Sequence, residues 1–430
     1  MPSLPLVAAH SPTSSPSPWK VTAAAVAGNT IEFYDFIIYS FFAVHIGRHF
    51  FPIESEFGSL LASVTTFGLG FIARPLGGLV VGAYADLKGR RAALTVTVAL
   101  MTLGTLGIAL APGHAEIGLA APVLLVACRL LQGFALGGEV GPATALLIEA
   151  SPVRRRGLYA SWQLGSQGLA IAMGGVVGVA VTVLLTPQQL AAWGWRIPFL
   201  LGLVLVPIAI VIRRELPSGW DQPRKANYLA ALAGGLCQHG RLLGLGLVAM
   251  MAAVVSTQLV QFMATYAIRQ QLVSAALGQA AVLVAGVATV AGALVAGVLC
   301  DRVGRKRIMW MPCALLALLA VPLFWALNEA PGVATLFATA ALISALTAAY
   351  GTACLICVPE LLPRECRATG VSIVYGCGLA MFGGSSQSLF VWLSELLQEP
   401  LAPACYVTLA ALLSLLAIRR LPESRLSWQP

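Results

Sequence analysis

Gly82-Ala-Tyr-Ala-Asp86-Leu-Lys-Gly89-Arg90-Arg91 closes one long apolar run, and Gly297-Val-Leu-Cys-Asp301-Arg302-Val-Gly304-Arg305-Lys306 closes another in the second half of the chain. Gly, Asp, Gly and Arg fall at the same offsets in both. A second pair follows at nearly the same distance downstream, Glu149, Pro152 and Arg156 in the first half and Glu360, Pro363 and Arg367 in the second. Two signatures recurring in register indicate an internal duplication. The chain reads as two related halves.

The segments between these signatures are apolar and long. Of the 430 residues, 58% are hydrophobic and 10% charged, against about a quarter charged in a soluble domain. Runs at 22–48, 57–84, 92–111, 117–148, 157–185, 195–213, 242–268, 277–299, 307–327, 333–358, 368–395 and 401–419 each approach or exceed the roughly 20 residues a helix needs to cross a bilayer. They are continuous in Leu, Ala, Val and Gly, not the short alternating segments of a membrane barrel. The expected fold is an all-α membrane protein of twelve transmembrane helices in two six-helix pseudo-repeats. Its expected units are a disordered cytoplasmic tail (1–19), an N-terminal bundle (20–213), a cytoplasmic linker (214–240), a C-terminal bundle (241–420) and a cytoplasmic tail (421–430).

Charge sets the expected orientation. The net charge of +9 would suggest nucleic acid in a soluble protein; here it marks loops. All but five of the 26 bases fall on the N-terminal side or in every second connection, the five being Arg48, Arg196, Arg269, Arg74 and Arg129. The positive-inside rule places both termini in the cytoplasm, which requires an even number of spans. The Ser- and Pro-rich first residues lack the basic and apolar regions of a cleaved signal. Cys354 and Cys357 form a CxxC on an apolar helix without neighbouring ligands, and the scattered histidines show no ligand spacing. They read as helix residues, and no metal, cofactor or disulfide framework is expected. With no nucleophile–base set or phosphate loop, the chain does not read as an enzyme.

Few charges lie at mid-span. Each uncompensated charge at the bilayer centre costs about 2.5–3.5 kcal/mol on insertion scales, so each demands a partner, a wet cavity or protonation. Glu32 and Asp35 are three apart and share a face of the first helix. At about 1.5 Å per residue, Asp35 lies about 20 Å from the start of its span and Arg129 about 18 Å from the start of the fourth. Both fall near the midplane, where transporter sites form between repeats. A carboxyl there is a proton-coupling group, and Arg129 offers bidentate recognition of an anionic substrate; a purely structural Asp–Arg pair is the plainer alternative. Arg74 and Glu139 read as gate or packing groups. Asn29, Gln132, Gln163, Gln167, Gln258, Gln261 and Tyr375 are candidate cavity groups, each alone equally compatible with helix–helix bonding.

The duplicated Gly-Asp-Gly-Arg segments resemble the signature loop of the major facilitator superfamily, with Leu87 standing where that family usually has Arg. The resemblance implies a gate built from Asp86, Gly89, Arg90, Glu149 and Arg156 in the first half and Asp301, Arg305, Glu360 and Arg367 in the second. Gly28-Asn-Thr-Ile-Glu32-Phe-Tyr-Asp35-Phe, Phe71-Ile-Ala-Arg74-Pro-Leu-Gly-Gly and Arg129-Leu-Leu-Gln132-Gly-Phe-Ala-Leu-Gly-Gly138-Glu139 resemble its metabolite:proton symporters. Glu54-Ser-Glu-Phe57, Val80-Val-Gly-Ala-Tyr84, Ile117-Gly-Leu-Ala-Ala-Pro122-Val-Leu and Trp193-Gly-Trp-Arg196-Ile-Pro-Phe199 narrow the likeness to the citrate and tricarballylate symporters. The likeness implies a monomeric protein of the bacterial inner membrane carrying a small organic anion with protons. Other metabolites (2-oxoglutarate, shikimate, betaine), proton-driven efflux and a non-transporting receptor are the alternatives.

Overall fold

The computed structural model describes residues 18–88, 90–137, 147, 151–152, 155–214, 238–362 and 367–424. Among these residues the secondary structure is helical throughout, with no strand. Twelve helices form the bundle: α1 (Pro18–Phe41), α2 (Glu56–Lys88), α3 (Arg90–Leu110), α4 (Ala120–Gly137), α5 (Arg156–Leu184) and α6 (Ile197–Arg214) in the first half. The second half holds α7 (Gly240–Arg269), α8 (Ala275–Val303), α9 (Arg305–Glu329), α10 (Val333–Glu360), α11 (Arg367–Gly378) and α12 (Ala402–Arg420). Past its end α1 continues as Ala43–Phe50, and α11 continues through a π-helical turn, Leu379–Gly383, into Gly384–Leu396. Eight of these helices are long and apolar enough to cross a membrane by length and composition alone. α3 and α6 contribute shorter apolar stretches, Thr95–Leu110 and Gly194–Pro207. Of the other two, α1 carries the buried acids Glu32 and Asp35, and α11 is interrupted by its π turn, where Leu379 borders a central cavity.

The expected boundaries shift in three places. The helix of α1 already includes Pro18, and the Trp19 ring sits 5.0 Å from that of Tyr159 on α5, so the tail ends earlier than composition suggests. The fourth span, expected from 117, starts at Ala120 with α4, because a short helix, His114–Ile117, ends at Gly118, which turns the chain at φ +58. Leu421–Ser424, assigned to a tail, folds back onto α9 and α10. The linker between 215 and 237 lies outside the described residues.

Large apolar side chains cover the outside of the bundle, Leu79, Leu119 and Leu184 each more than 70% exposed. That outer surface suits lipid, not water. Lipid offers no hydrophobic drive between helices, so close backbone approach and hydrogen bonds hold them together. A Cβ on Gly133 of α4 would lie 1.7 Å from the Gly70 carbonyl of α2, so these two helices touch main chain to main chain. The same device joins the halves. Gly168 and Gly175 of α5 meet Gly286 and Leu283 of α8, and a Cβ on Gly286 would lie 2.3 Å from the Ala172 nitrogen. Near one end of this seam Gly157 faces Gly297; toward the other, Gly178 faces Gln279, whose amide donates to the Phe41 carbonyl of α1. On the opposite side of the bundle, Gly68 of α2 packs on the Gly384 carbonyl and Thr65 bonds Ser388 at 3.0 Å.

Candidate functional site

Between the halves lies a small central cavity of about 40 Å³. Helices α1, α2 and α5 line it from the first half with Phe33, Phe36, Phe71, Arg74 and Gln167. From the second half come Gln258 and Gln261 of α7, Thr347 of α10, and Tyr375 and Leu379 of α11. A water needs roughly 10–15 Å³ measured in this way, so the space holds a few waters and nothing larger until the helices part.

The charge in this cavity is Arg74. It is 3% exposed, and Nε, Nη1 and Nη2 all lack a hydrogen-bond partner. Its guanidinium carbon stands 4.4 Å from the centre of the Phe36 ring and 4.5 Å from that of Phe71. Arg129 approaches the same Phe36 ring at 4.1 Å, with Tyr39 and Phe67 at 4.8 and 4.9 Å. Two cations therefore share one aromatic ring, each cation–π contact being worth about 2 kcal/mol when desolvated. Arg129 is further held by Gln132 (Nη1 to Oε1, 2.6 Å) and by the Phe36 carbonyl (3.2 Å), and Gln132 in turn donates to Thr105 at 2.9 Å. Its Nε and Nη2 stay unfilled. Among the described residues neither arginine forms an ion pair with a carboxylate.

Asp35 does not reach Arg129. Arg129 bonds the main chain at Phe36, one residue round the helix, whereas Asp35 turns toward α6 and Gly202. The rotation of a single residue, about 100° on a helix, separates two groups that depth alone brings together. Glu32 is buried on the same helix. Arg74, expected at a gate, lines the cavity, and Arg129, expected in the cavity wall, stands behind Phe36.

The candidate amides divide. Gln167 lines the cavity and donates to the Tyr375 hydroxyl at 3.2 Å, joining the two halves. Gln258 accepts from Gln387 at 3.2 Å, and Gln387 exchanges hydrogen bonds with Ser40 of α1. Asn29 instead bonds Ser166 at 2.5 Å, tying α1 to α5, and Gln163 is buried outside the cavity lining with its side-chain nitrogen unpartnered. Gln387 and Ser40 are cross-half groups that the sequence reading passed over. The polar run Ser385-Ser386-Gln387-Ser388 inside an apolar helix was the available signal.

The end bearing the second Gly-Asp-Gly-Arg segment is fully wired. Asp301 accepts from the amides of Gly157 and Leu158 at 2.9 and 3.2 Å, capping α5 of the other half. Arg305 makes a two-pronged pair with Glu360 at 3.1 and 3.0 Å and lies 3.6 Å from Asp301. Gly304, at φ +115, adopts a backbone that favours glycine and exposes the first amides of α9, where Glu423 accepts from Arg305 and Lys306. Ser424 donates to Glu360 at 2.6 Å. Carboxylates at helix N-termini are stabilised by the free amides and the helix dipole. In the first-half copy, Gly89, Glu139 and Glu149, and the side chains of Asp86 and Arg90, lie outside the described residues, as does the side chain of Arg367 in the second; Arg156 opens α5 beside the Asp301 cap.

The family model described as Major Facilitator Superfamily matches residues 24–386. A citrate-proton symporter of Klebsiella pneumoniae is 34% identical over 396 residues, covering 91% of this chain and 89% of that one. An alpha-ketoglutarate permease of Escherichia coli is 32% identical over 408 residues, covering 93% and 92%. Among solved structures, the partially occluded inward-open xylose transporter XylE from E. coli superposes with a TM-score of 0.75 at 17% identity, covering 96% of this chain and 99% of that chain.

Proposed function

This chain belongs to the Major Facilitator Superfamily, and from that premise we propose that it is a proton-coupled symporter importing citrate or a related tricarboxylate by alternating access. The observation that carries the anion is Arg74, a buried guanidinium with every nitrogen unpartnered, aimed into a cavity walled by both halves. Leaving a buried charge unsatisfied is costly, and an anionic cargo supplies what the protein withholds. A planar guanidinium matches a carboxylate with two parallel hydrogen bonds. Arg129 adds a second positive field through Phe36, while Gln167, Gln258, Gln261 and Tyr375 offer hydrogen bonds to further carboxylate or hydroxyl oxygens. The relatives named for citrate and 2-oxoglutarate support the same class.

Proton coupling falls to Asp35, with Glu32 on the same face of α1. The distribution of loop charge supports a cytoplasmic side for both termini and the Asp301 cap, in a bacterial inner membrane. A dicarboxylate such as 2-oxoglutarate is the second reading, favoured by the narrow cavity. Proteoliposomes offered labelled citrate, tricarballylate, 2-oxoglutarate, shikimate and betaine, with and without an inward proton gradient, test both. Accumulation of citrate only under the gradient is expected. Gradient-independent uptake refutes the coupling, and preference for betaine, a zwitterion with no net charge, over the anionic acids refutes the anion site.

A further inference from the structure

Asp35 and Gly202 meet where α1 crosses α6. A Cβ on Gly202 would lie 1.8 Å from Asp35 Oδ1 and 3.0 Å from its Cγ, so the carboxyl fills the space an alanine methyl would need. Asp35 is 1% exposed, and Oδ1 has no hydrogen-bond partner. Among the described residues no donor meets Oδ1: Tyr34, beside Gly202, sends its hydroxyl to the Pro198 carbonyl at 2.9 Å. The other ionisable groups near this depth are Glu32, one turn earlier on α1, and Arg129 of α4 and Arg74 of α2, both across the Phe36 ring. On α5 the described Tyr159 and Arg156 lie near the capped helix end, and on α7 Tyr266 is bonded to Pro400 and Asn328.

A carboxylate placed in such a site lacks both counter-ion and donor, whereas the neutral acid loses far less on burial. We infer that Gly202 is the seat for protonated Asp35. The missing side chain on α6 lets the neutral acid leave the cavity side of α1 and bury against helix backbone. On deprotonation the carboxylate turns out of the notch toward the arginines. Gly202 is a positioning residue in this scheme, and the inference rests on the reading of Asp35 as the proton carrier.

Gly202→Ala fills the notch and drives the carboxyl round α1 toward Arg74 and Arg129, whose charges favour the ionised form. Uptake of labelled citrate (or 2-oxoglutarate, if the panel selects it) into proteoliposomes is measured against external pH and normalised to counterflow in the same vesicles. The pH of half-maximal uptake is expected to move about one unit or more to the acid side, a tenfold change in proton affinity. An unchanged profile overturns the inference. In an Asp35→Ser background no carboxyl remains to displace, so the double variant is expected to behave as Asp35→Ser alone. An equal further loss in both backgrounds marks helix packing and also overturns it. Should Gly202→Ala fail to reach the membrane, infrared difference spectra of the unsubstituted protein decide. A carboxylic C=O band free of hydrogen bonding and lost in Asp35→Asn is expected; a hydrogen-bonded band, or none, refutes the seat. Gradient-driven accumulation surviving in Asp35→Asn removes the proton-carrier reading itself, an outcome distinct from any failure at Gly202.

Discussion

In the first half, Arg74, Arg129 and Asp35 stand at mid-depth with donors or acceptors unfilled, whereas in the second half Asp301, Arg305 and Glu360 stand at a helix end with theirs engaged. The two halves share a sequence ancestry and the same signature loop, so the difference is one of use. A buried polar group without a partner costs about 1–3 kcal/mol. The chain keeps such groups unfilled on one side, while on the other it fills them with carboxylate bonds to the amides of Gly157, Leu158, Arg305 and Lys306 and with a two-pronged ion pair. In the proposed reading, charge satisfied within the protein holds shape, and charge left open is available to cargo.

Replacing Arg74 tests that contrast most severely. Arg74→Gln removes the two charge-assisted hydrogen bonds proposed to a bound carboxylate, about 1.5–3 kcal/mol each, so initial-rate uptake efficiency is expected to fall about 100-fold or more, with Arg74→Lys recovering part of it. Uptake within twofold of the parent would erase the distinction between the halves. Gly286→Val probes the seam between them. Overpacking there costs about 1–3 kcal/mol, which shifts the balance away from the closed arrangement by about tenfold. Thiol labelling of a cysteine introduced at Thr257, in the cavity wall, is expected to quicken accordingly. Asp301→Ala removes the cap that one half places on α5 of the other, a loss of about 1–2 kcal/mol. Spin-label distances across that end of the molecule are expected to broaden toward longer values, with citrate affinity changed little. An effect on affinity as large as that of Arg74→Gln would mean that the wired end also holds cargo.

The helix count and the duplication were legible because both depend on chain-local information, hydropathy over about 20 residues and a motif repeated in register. The depth of Asp35 and Arg129 was legible for the same reason, since rise along a helix is fixed. Their facing was not. Whether Arg129 meets Asp35 or the Phe36 carbonyl depends on the rotation of α1 against α4, and Gly70 of α2 bears on both, lying against the Phe36 ring of one and the Arg129 carbonyl of the other. Spacing left Arg74 between a gate and a packing role; its place beside the cavity follows from α2 packing on α4 at Gly77 and Gly133, out of reach of spacing rules. Glu423 and Ser424 lay in a stretch too short and polar to register as structure, although their partners, Arg305 and Glu360, were singled out.

The glycine seam of α5 and α8 bears on how the molecule moves. Where helices interlock through large side chains, separating them means prising apart a jigsaw. Here glycines spaced along both helices (Gly157, Gly168 and Gly175 of α5; Gly286 and Gly297 of α8) let main chain meet main chain at intervals, closer to a bearing than a zipper, so one half can roll on the other without a full set of interlocked side chains to separate. Reversing a two-state balance from 1:99 to 99:1 takes about 5.5 kcal/mol. With main chain meeting main chain between the halves, a few hydrogen bonds at the seam's end and the proposed grip of cargo on Arg74 would be of the right size to decide which way the molecule faces.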